Sequence, residues 1–132
     1  MRVVITGGAG DLGLPLARRV VARGSTVILL DRRSEPPAEA AKFISEHADL
    51  ARYVSADVTD PARLNAALKR QPPVTVLVHG AGALADGPVE QVDGQKGELA
   101  RTVKWLGWIN IVRACRGRLR QGGCRRLARG VF

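Results

Sequence analysis

TGGAGDLG occupies residues 6–13, directly after a short apolar run, and contains glycine at positions 8, 10 and 13. This G-x-G-x-x-G spacing allows a tight turn between a strand and a helix and lets main-chain N–H groups approach a diphosphate. The positive end of the following helix favours the same negative charge. An ordinary glycine turn is the alternative, but the position between a predicted strand and a predicted helix favours dinucleotide binding.

Four short apolar runs bounded by turn residues are typical of strands covered on both faces, and they comprise residues 3–6, 27–31, 52–56 and 74–78. Helical periodicity predicts helices over residues 12–23, 36–49 and 97–115, and a further helix that opens at Asp60-Pro61. Alternation of this kind predicts βαβ units. We therefore expect an α/β Rossmann-type three-layer sandwich whose parallel sheet has the order 3-2-1-4. The sequence leaves open whether an irregular fifth strand lies beyond the fourth.

Cap signals and apolar spacing define the helices further. Gly24 predicts a left-handed C-terminal cap, and Asp60 followed by Pro61 predicts an N-cap with proline at the first helical position. The apolar stripe expected on the first helix consists of Ala9, Leu12, Leu16, Ala17, Val20 and Val21. The stripe expected on the last helix consists of Leu99, Val103, Leu106 and Ile109 or Asn110.

The length of the chain and the distribution of its charges limit how it can be divided into domains. With 132 residues, 45% of them apolar, it can bury the core of one domain. The net charge is +9, but all of it comes from the 9 basic residues that follow Glu98, the last acidic residue. We therefore divide the chain into a nucleotide-binding Rossmann domain at residues 1–116 and an arginine-rich tail at residues 117–132.

The two cysteines, Cys115 and Cys124, lack the number and the histidine neighbours of a disulfide framework or a metal site. No apolar run is long enough to cross a bilayer, and the first apolar run leads at once into the glycine loop. We expect a soluble, cytoplasmic protein that binds no metal and no membrane.

Asp31 ends the second predicted strand, where a carboxylate accepts hydrogen bonds from the adenosine ribose and repels a 2′-phosphate. Arg32 and Arg33 follow it, and a guanidinium can pair with that phosphate, stack on adenine or remain solvated. The expected cofactor is therefore NAD or NADP, with a slight lean to NAD.

Four segments together resemble the short-chain dehydrogenase/reductase superfamily, and within it the ketoreductase domains of polyketide synthases. They are TGGAGDLG at 6–13, ADVTD at 56–60, HGAGALADGP at 79–88 and KWLG at 104–107. The resemblance implies that Asp57 contacts the adenine amino group and that Gly80 to Gly82 close over the cofactor. The cofactor-binding residues expected from the motif and the resemblance together are Thr6, Gly7, Gly8, Gly10, Asp11, Leu12, Gly13, Asp31, Arg32, Arg33, Asp57, Val58, Gly80, Ala81 and Gly82.

The resemblance also implies hydride transfer to or from a carbonyl or an alcohol. Lys104 stands where ketoreductase domains place a catalytic lysine, although a solvated helix lysine is the alternative. Family chemistry further needs a tyrosine and a serine from the fifth strand and the next helix. The one tyrosine, Tyr53, falls in the third strand, where we expect a packing role, and no serine follows Ser55. We expect a catalytically incomplete, truncated member.

Two further functions stay open. The first is a non-catalytic dinucleotide-binding or assembly module, in which a second copy or a partner subunit covers the exposed sheet edge. The second is nucleic-acid binding through the basic tail, which the lack of interleaved aromatic residues disfavours. The composition of the tail is also consistent with a truncated or frame-shifted copy of a longer gene.

Overall fold

A computed structural model describes residues 1–83, 88–116 and 119 of the chain. Four parallel strands form one sheet in the order β3-β2-β1-β4, which confirms the predicted order. The strands are β1 (Arg2–Thr6), β2 (Thr26–Asp31), β3 (Ala51–Ser55) and β4 (Val76–His79). The predicted bounds of β1, β2 and β3 differ from the observed bounds by one residue, and those of β4 differ by up to two.

Among the described residues, five helices connect or follow the strands. They are α1 (Gly13–Val21), α2 (Ala38–Glu46), α3 (Pro61–Lys69), α4 (Gly94–Arg101) and α5 (Gly107–Cys115). A π-helical turn (Thr102–Leu106) joins α4 to α5, and a short 3-10 turn (Val89–Gln91) precedes α4. The predicted last helix is thus present, but it begins three residues earlier and contains a π turn.

Alternating residues of the central strands face opposite sides of the sheet. On one side Val3, Ile5, Val27 and Leu29 pack with residues of α1 and α2, among them the fully buried Phe43. On the other side a second core cluster joins the strands to α3 and α5: Val4, Ile28, Leu30, Leu64, Leu68, Ile111 and Cys115. Helices therefore cover both faces, which is the predicted three-layer sandwich.

The predicted caps are present. Asp60 accepts a hydrogen bond from the main-chain N–H of Arg63 at 3.0 Å, with Pro61 at the first helical position of α3. After α1, Gly24 adopts φ +70°, and the N–H groups of Gly24 and Ser25 bond to the carbonyls of Val21 and Val20. This pairing is a Schellman motif, which satisfies carbonyls that the helix leaves open.

The stripe expected on the first helix is corrected at Leu12, whose side chain is 84% exposed. Gly13 is the first residue of α1 and packs directly against the glycine turn. The face of α1 toward the sheet therefore carries Gly13, Ala17 and Val21. Leu12 lies one residue before that face and points away from it. Ala9, Ala17 and Val21 are buried as expected, and Leu16 and Val20 are partly buried.

The stripe expected on the last helix is also wrong in part, because Leu99 and Leu106 are exposed. Leu99 belongs to α4, none of whose residues is buried, and the π turn after α4 inserts one extra residue into the helical repeat and so changes the phase of every residue that follows. The buried face of α5 is therefore Gly107, Ile111 and Cys115. Asn110, expected on the apolar face, instead donates a side-chain hydrogen bond to the Val58 carbonyl at 2.9 Å.

Beyond β4, Leu119 forms an isolated parallel bridge with Val74. A single bridge is not a strand, so the irregular fifth strand stays a prediction. The other residues of the predicted arginine-rich tail, including Cys124, lie outside the described residues, so the division of the chain at residue 116 stays a prediction.

Candidate functional site

A cleft of about 420 Å³ opens at the carboxyl edge of the sheet, where the strand order reverses between β1 and β4. In open α/β sheets this crevice is the usual place for a ligand. Its lining comprises Gly7, Gly10, Leu30, Asp31, Arg32, Arg33, Ala56, Asp57, Val58, Thr59, Gly80, Ala81, Gly82, Ala83, Leu99 and Val103. Ten of the residues expected from the sequence are among them.

The glycine turn is packed too closely to accept side chains. Gly7 adopts φ +65°, and a Cβ there would lie 2.8 Å from the Gly80 carbonyl oxygen. A Cβ on Gly13 would overlap the Gly7 carbonyl oxygen, and one on Gly8 would lie 2.8 Å from the Leu29 Cα. All of these neighbours are main-chain atoms, which cannot swing aside. The glycines thus bring β1, α1 and the loop after β4 into direct contact.

The N-terminus of α1 lacks a side-chain cap, and its Leu14 N–H is paired with the Gly10 carbonyl at 3.0 Å. No side chain of the described residues caps it, and its first turn carries no acidic residue. The first N–H groups of a helix have no partner within the helix, and the helix dipole adds positive potential at that end. With Gly7 and Gly10 lining the cleft at this point, the arrangement favours an anion such as a diphosphate.

Asp31 lies at the end of β2 and is only 8% exposed. Its Oδ1 accepts a hydrogen bond from the Arg33 N–H at 3.3 Å, and the Arg33 guanidinium lies 3.6 Å from its Oδ2. One arginine therefore contacts both oxygens of the carboxylate expected to hold the ribose. The Arg33 side chain is 54% exposed, so this ion pair is screened by solvent and weak.

Asp57 lies in the loop after β3. Its Oδ1 accepts hydrogen bonds from both the N–H and the hydroxyl of Thr59, each at 2.8 Å. This local turn fixes the carboxylate at the wall of the cleft. Both bonds use the same oxygen, so Oδ2 can accept a further donor such as an exocyclic amino group.

Thr6 links β1 to the loop after β4. Its fully buried hydroxyl lies 2.8 Å from His79 Nδ1 and accepts a hydrogen bond from the Ala81 N–H at 3.2 Å. Burial lowers the pKa of His79, and main-chain groups of Val103 and Lys104 partly offset that shift. The imidazole is therefore neutral at neutral pH, and its packing joins the strand ends to the π turn.

The π turn brings Lys104 toward the loop after β4. The Lys104 Cε lies 3.7 Å from where a Cβ on Gly82 would stand. One turn later Gly107 packs so closely against Val58 that a Cβ there would lie 2.7 Å from the Val58 Cγ2. Lys104 thus lies beside the predicted loop, although it is not among the residues that line the cleft.

The remaining expected residues occupy two kinds of position. Thr6, Gly8 and Gly13 lie behind the turn and support it, whereas Asp11 and Leu12 are exposed at its outer edge. The lining residues that were not predicted from the sequence are Leu30, Ala56, Thr59, Ala83, Leu99 and Val103. A hydroxyl two residues after Asp57 was a detectable turn signal for Thr59. Leu99 and Val103 reach the cleft only through the packing of α4 and the π turn.

Within residues 1–83, 88–116 and 119, no three histidine, cysteine, aspartate or glutamate side chains are grouped so as to hold a metal ion. None of the helices in this same part of the chain has the length and apolar character needed to span a bilayer.

Comparison with known proteins identifies relatives along most of the chain. The family model described as short chain dehydrogenase matches residues 1–124. A 3-dehydrosphinganine reductase of Arabidopsis thaliana is 32% identical over 114 residues, which cover 85% of this chain and 34% of that protein. The erythronolide synthase of Saccharopolyspora erythraea is 38% identical over 97 residues, or 69% of this chain and 3% of that protein.

Among solved structures, a gluconate 5-dehydrogenase from Burkholderia cenocepacia in complex with NADP and tartrate superposes with a TM-score of 0.76 at 26% sequence identity. The match covers 88% of this chain and 47% of that one. The chain thus spans about a third of the length of the reductase and about half the length of the dehydrogenase.

Proposed function

Because this chain belongs to the short-chain dehydrogenase family, we propose that its cleft binds NAD or NADP. The observation that carries the proposal is the uncapped N-terminus of α1 beside Gly7 and Gly10. Main-chain N–H groups at that point suit the diphosphate, with no acidic side chain of the first turn to repel it. The cleft is also large enough for a substantial part of a dinucleotide, since ligand sites usually measure several hundred cubic ångströms.

Residues that line the cleft support the positions that we propose for the other parts of the dinucleotide. Asp31 is proposed to accept hydrogen bonds from the adenosine ribose, and Asp57 from the adenine amino group through its Oδ2. Gly80, Ala81 and Gly82 then flank the ribose on the nicotinamide side. Asp11 and Leu12 contribute main-chain N–H groups rather than side chains, which is consistent with their exposure.

We propose a lean to NAD over NADP, carried by the Asp31 carboxylate. A 2′-phosphate meets a negative charge at this position, so NAD is favoured. The Arg33 guanidinium offsets part of that repulsion because it lies against the same carboxylate. Arg32 also lines the cleft and can pair with a phosphate, so the proposed preference for NAD is slight.

A bound nicotinamide would carry the hydride in the reaction of this family, to or from a carbonyl or an alcohol. In this chain Lys104 is the proposed catalytic contributor, on the strength of its position beside Gly82. The remaining acid–base groups are not supplied by the sequence. Its one tyrosine, Tyr53, belongs to β3, two strands away from β1 and three from β4 in the sheet. We therefore propose binding without turnover.

We also propose that the α4 side of the molecule promotes association, with a second copy or a partner subunit. Trp105 is 61% exposed, Leu99 and Leu106 are exposed beside it in sequence, and α4 buries none of its residues. Exposed large apolar side chains of this kind favour contact with another surface. In sedimentation experiments the protein should associate at micromolar concentration, and Trp105→Lys should weaken that association by about tenfold. A monodisperse monomer would contradict the proposal.

Titration of the purified chain with NADH and with NADPH, read by nicotinamide fluorescence, tests the binding proposal. We expect both to bind, NADH more tightly, and no reduction of a carbonyl substrate above background. Asp31→Asn keeps the shape and removes the charge, so it should improve NADPH binding by about tenfold relative to NADH. Failure to bind either nucleotide would overturn the proposed site, and turnover would overturn the claim of catalytic incompleteness.

A further inference from the structure

Tyr53 contacts the main chain next to the ribose end of the cleft. Its hydroxyl donates a hydrogen bond to the Arg33 carbonyl at 2.8 Å and lies 3.5 Å from the Glu35 carbonyl. The ring is half-buried against the core cluster that α1 and α2 share with the sheet. Tyr53 is paired with Leu29 in the register of β3 and β2. A packed ring thus holds a hydroxyl over the loop that follows β2.

That loop carries the groups that meet the ribose. The Arg33 carbonyl accepts a hydrogen bond from Tyr53, the Arg33 N–H donates one to Asp31 Oδ1, and the guanidinium forms an ion pair with Asp31 Oδ2 at 3.6 Å. The three residues form one connected chain from β3 to the cleft. The screened Arg33–Asp31 ion pair is too weak to hold the loop by itself, because a long exposed side chain loses rotamer entropy on pairing. The hydrogen bond from the Tyr53 hydroxyl to the Arg33 carbonyl fixes the main chain of Arg33. It therefore reduces the entropy that the Arg33 side chain loses when it pairs with Asp31.

The hydroxyl remains a donor over the whole physiological range. Burial raises the pKa of Tyr53, the Asp31 carboxylate raises it further, and the Arg33 guanidinium opposes them. The phenol is therefore protonated, as donation to a carbonyl oxygen requires.

We propose that Tyr53 is a positioning residue for cofactor discrimination, whose hydroxyl holds Arg33 against Asp31 and so sets how well the cleft admits a 2′-phosphate. This inference rests on the proposed dinucleotide site. The Arg33 guanidinium neutralises part of the Asp31 charge and is itself a partner for phosphate oxygens. When the loop is released, Asp31 repels the 2′-phosphate with less compensation. NADP binding then weakens, whereas NAD binding, which needs only the carboxylate, is retained.

The test compares Tyr53→Phe with the wild-type chain in titrations with NADH and NADPH. The substitution removes one oxygen atom and leaves the packed ring in place. We expect the NADPH dissociation constant to rise about fivefold, as the loss of one partly exposed hydrogen bond allows, while that of NADH changes by less than about twofold. Thr26→Val is a matched control, because it removes a hydroxyl from the neighbouring strand at the opposite edge of the sheet.

A double-mutant cycle with Arg33→Ala separates positioning from general support of the fold. Arg33→Ala alone should weaken NADPH binding at least as much as Tyr53→Phe. In the Arg33→Ala background, Tyr53→Phe should leave the ratio of the two dissociation constants unchanged, because its effect passes through that arginine.

An equal loss of NADH and NADPH binding in Tyr53→Phe, or full additivity with Arg33→Ala, would show a merely structural role and overturn the inference. An unchanged ratio in Tyr53→Phe overturns it as well, with the dinucleotide site intact. If the wild-type chain bound neither nucleotide, the proposed function itself would be wrong and this inference with it.

Discussion

The N-termini of α1 and α3 face the same edge of the sheet but are capped in different ways. At α3, Asp60 accepts a hydrogen bond from the Arg63 N–H, and Pro61 removes a further donor. At α1, the preceding turn is TGGAGDLG, and no side chain of the described residues caps the helix. One helix end is satisfied by the protein itself. At the other, the Leu14 N–H bonds to the Gly10 carbonyl and Pro15 has no N–H, so the place that we propose for an external anion is the glycine turn with Gly13.

Close packing around the N-terminus of α1 offsets the cost of leaving that helix without a side-chain cap. The turn before α1 is held by main-chain contacts that only glycine allows, at Gly7, Gly8 and Gly13. The loop before α3 instead relies on side chains, since Asp57 bonds to Thr59 and Asp60 caps the helix. Side-chain caps occupy the N–H groups that they satisfy, whereas glycine packing leaves those groups accessible.

The largest expected effect comes from Gly13→Ala, which breaks this packing. Its Cβ would overlap the Gly7 carbonyl oxygen, and neither main-chain segment can yield. We expect a loss of about 3 kcal/mol in the free energy of unfolding, measured by urea denaturation. NADH binding should weaken by at least about a hundredfold, because α1 can no longer seat on the turn.

Gly97→Ala is the matched control for that substitution. Gly97 lies within α4, and a Cβ there would meet nothing within 4 Å. Replacing a helical glycine by alanine should raise the free energy of unfolding by about 0.5–1 kcal/mol and leave NADH binding unchanged. A Gly13→Ala variant that resembled Gly97→Ala would show that the turn does not need glycine for close approach.

The contrast between the two helix ends also explains what the sequence could predict. The Asp60-Pro61 cap, the glycine turn and the strand order are local signals or follow from one motif, and each is present as expected. The exposure of Leu12 was missed because the register of a helix depends on which residue first touches the sheet. The buried face of α5 was missed because an inserted π turn leaves no mark in a simple apolar period.

Tyr53 illustrates the remaining limit. Its position in a strand was predictable, and packing was a reasonable expectation for its ring. Its hydroxyl, however, contacts a carbonyl 20 residues away in sequence, and only the lateral pairing of β2 with β3 brings the two together. The same holds for Thr6 and His79, whose side chains meet across 73 residues. Contacts between neighbouring strands depend on register, which no single segment encodes.

A smaller and more specific effect is expected when the N-terminal end of α1 is given a second negative charge, next to that of the exposed Asp11. Leu12 is 84% exposed at that end, so Leu12→Asp introduces a carboxylate without disturbing the core. The helix dipole should make the chain slightly more stable, by about 0.3–1 kcal/mol at low salt. The same charge should repel the diphosphate and weaken NADH binding by about tenfold. Calorimetry and titration on one sample would measure both changes, which have opposite sign.

Two variants control this prediction. Leu12→Asn has nearly the same shape as Leu12→Asp and can cap the helix in the same way but carries no charge, so the additional loss of NADH binding in Leu12→Asp measures the effect of the charge. Asp60→Ala removes the cap of α3 and should cost about 1 kcal/mol of stability, with little change in NADH binding. If Leu12→Asp bound NADH normally, the anion would not occupy the end of α1. If Asp60→Ala lost NADH binding as strongly, the two helix ends would not differ in role.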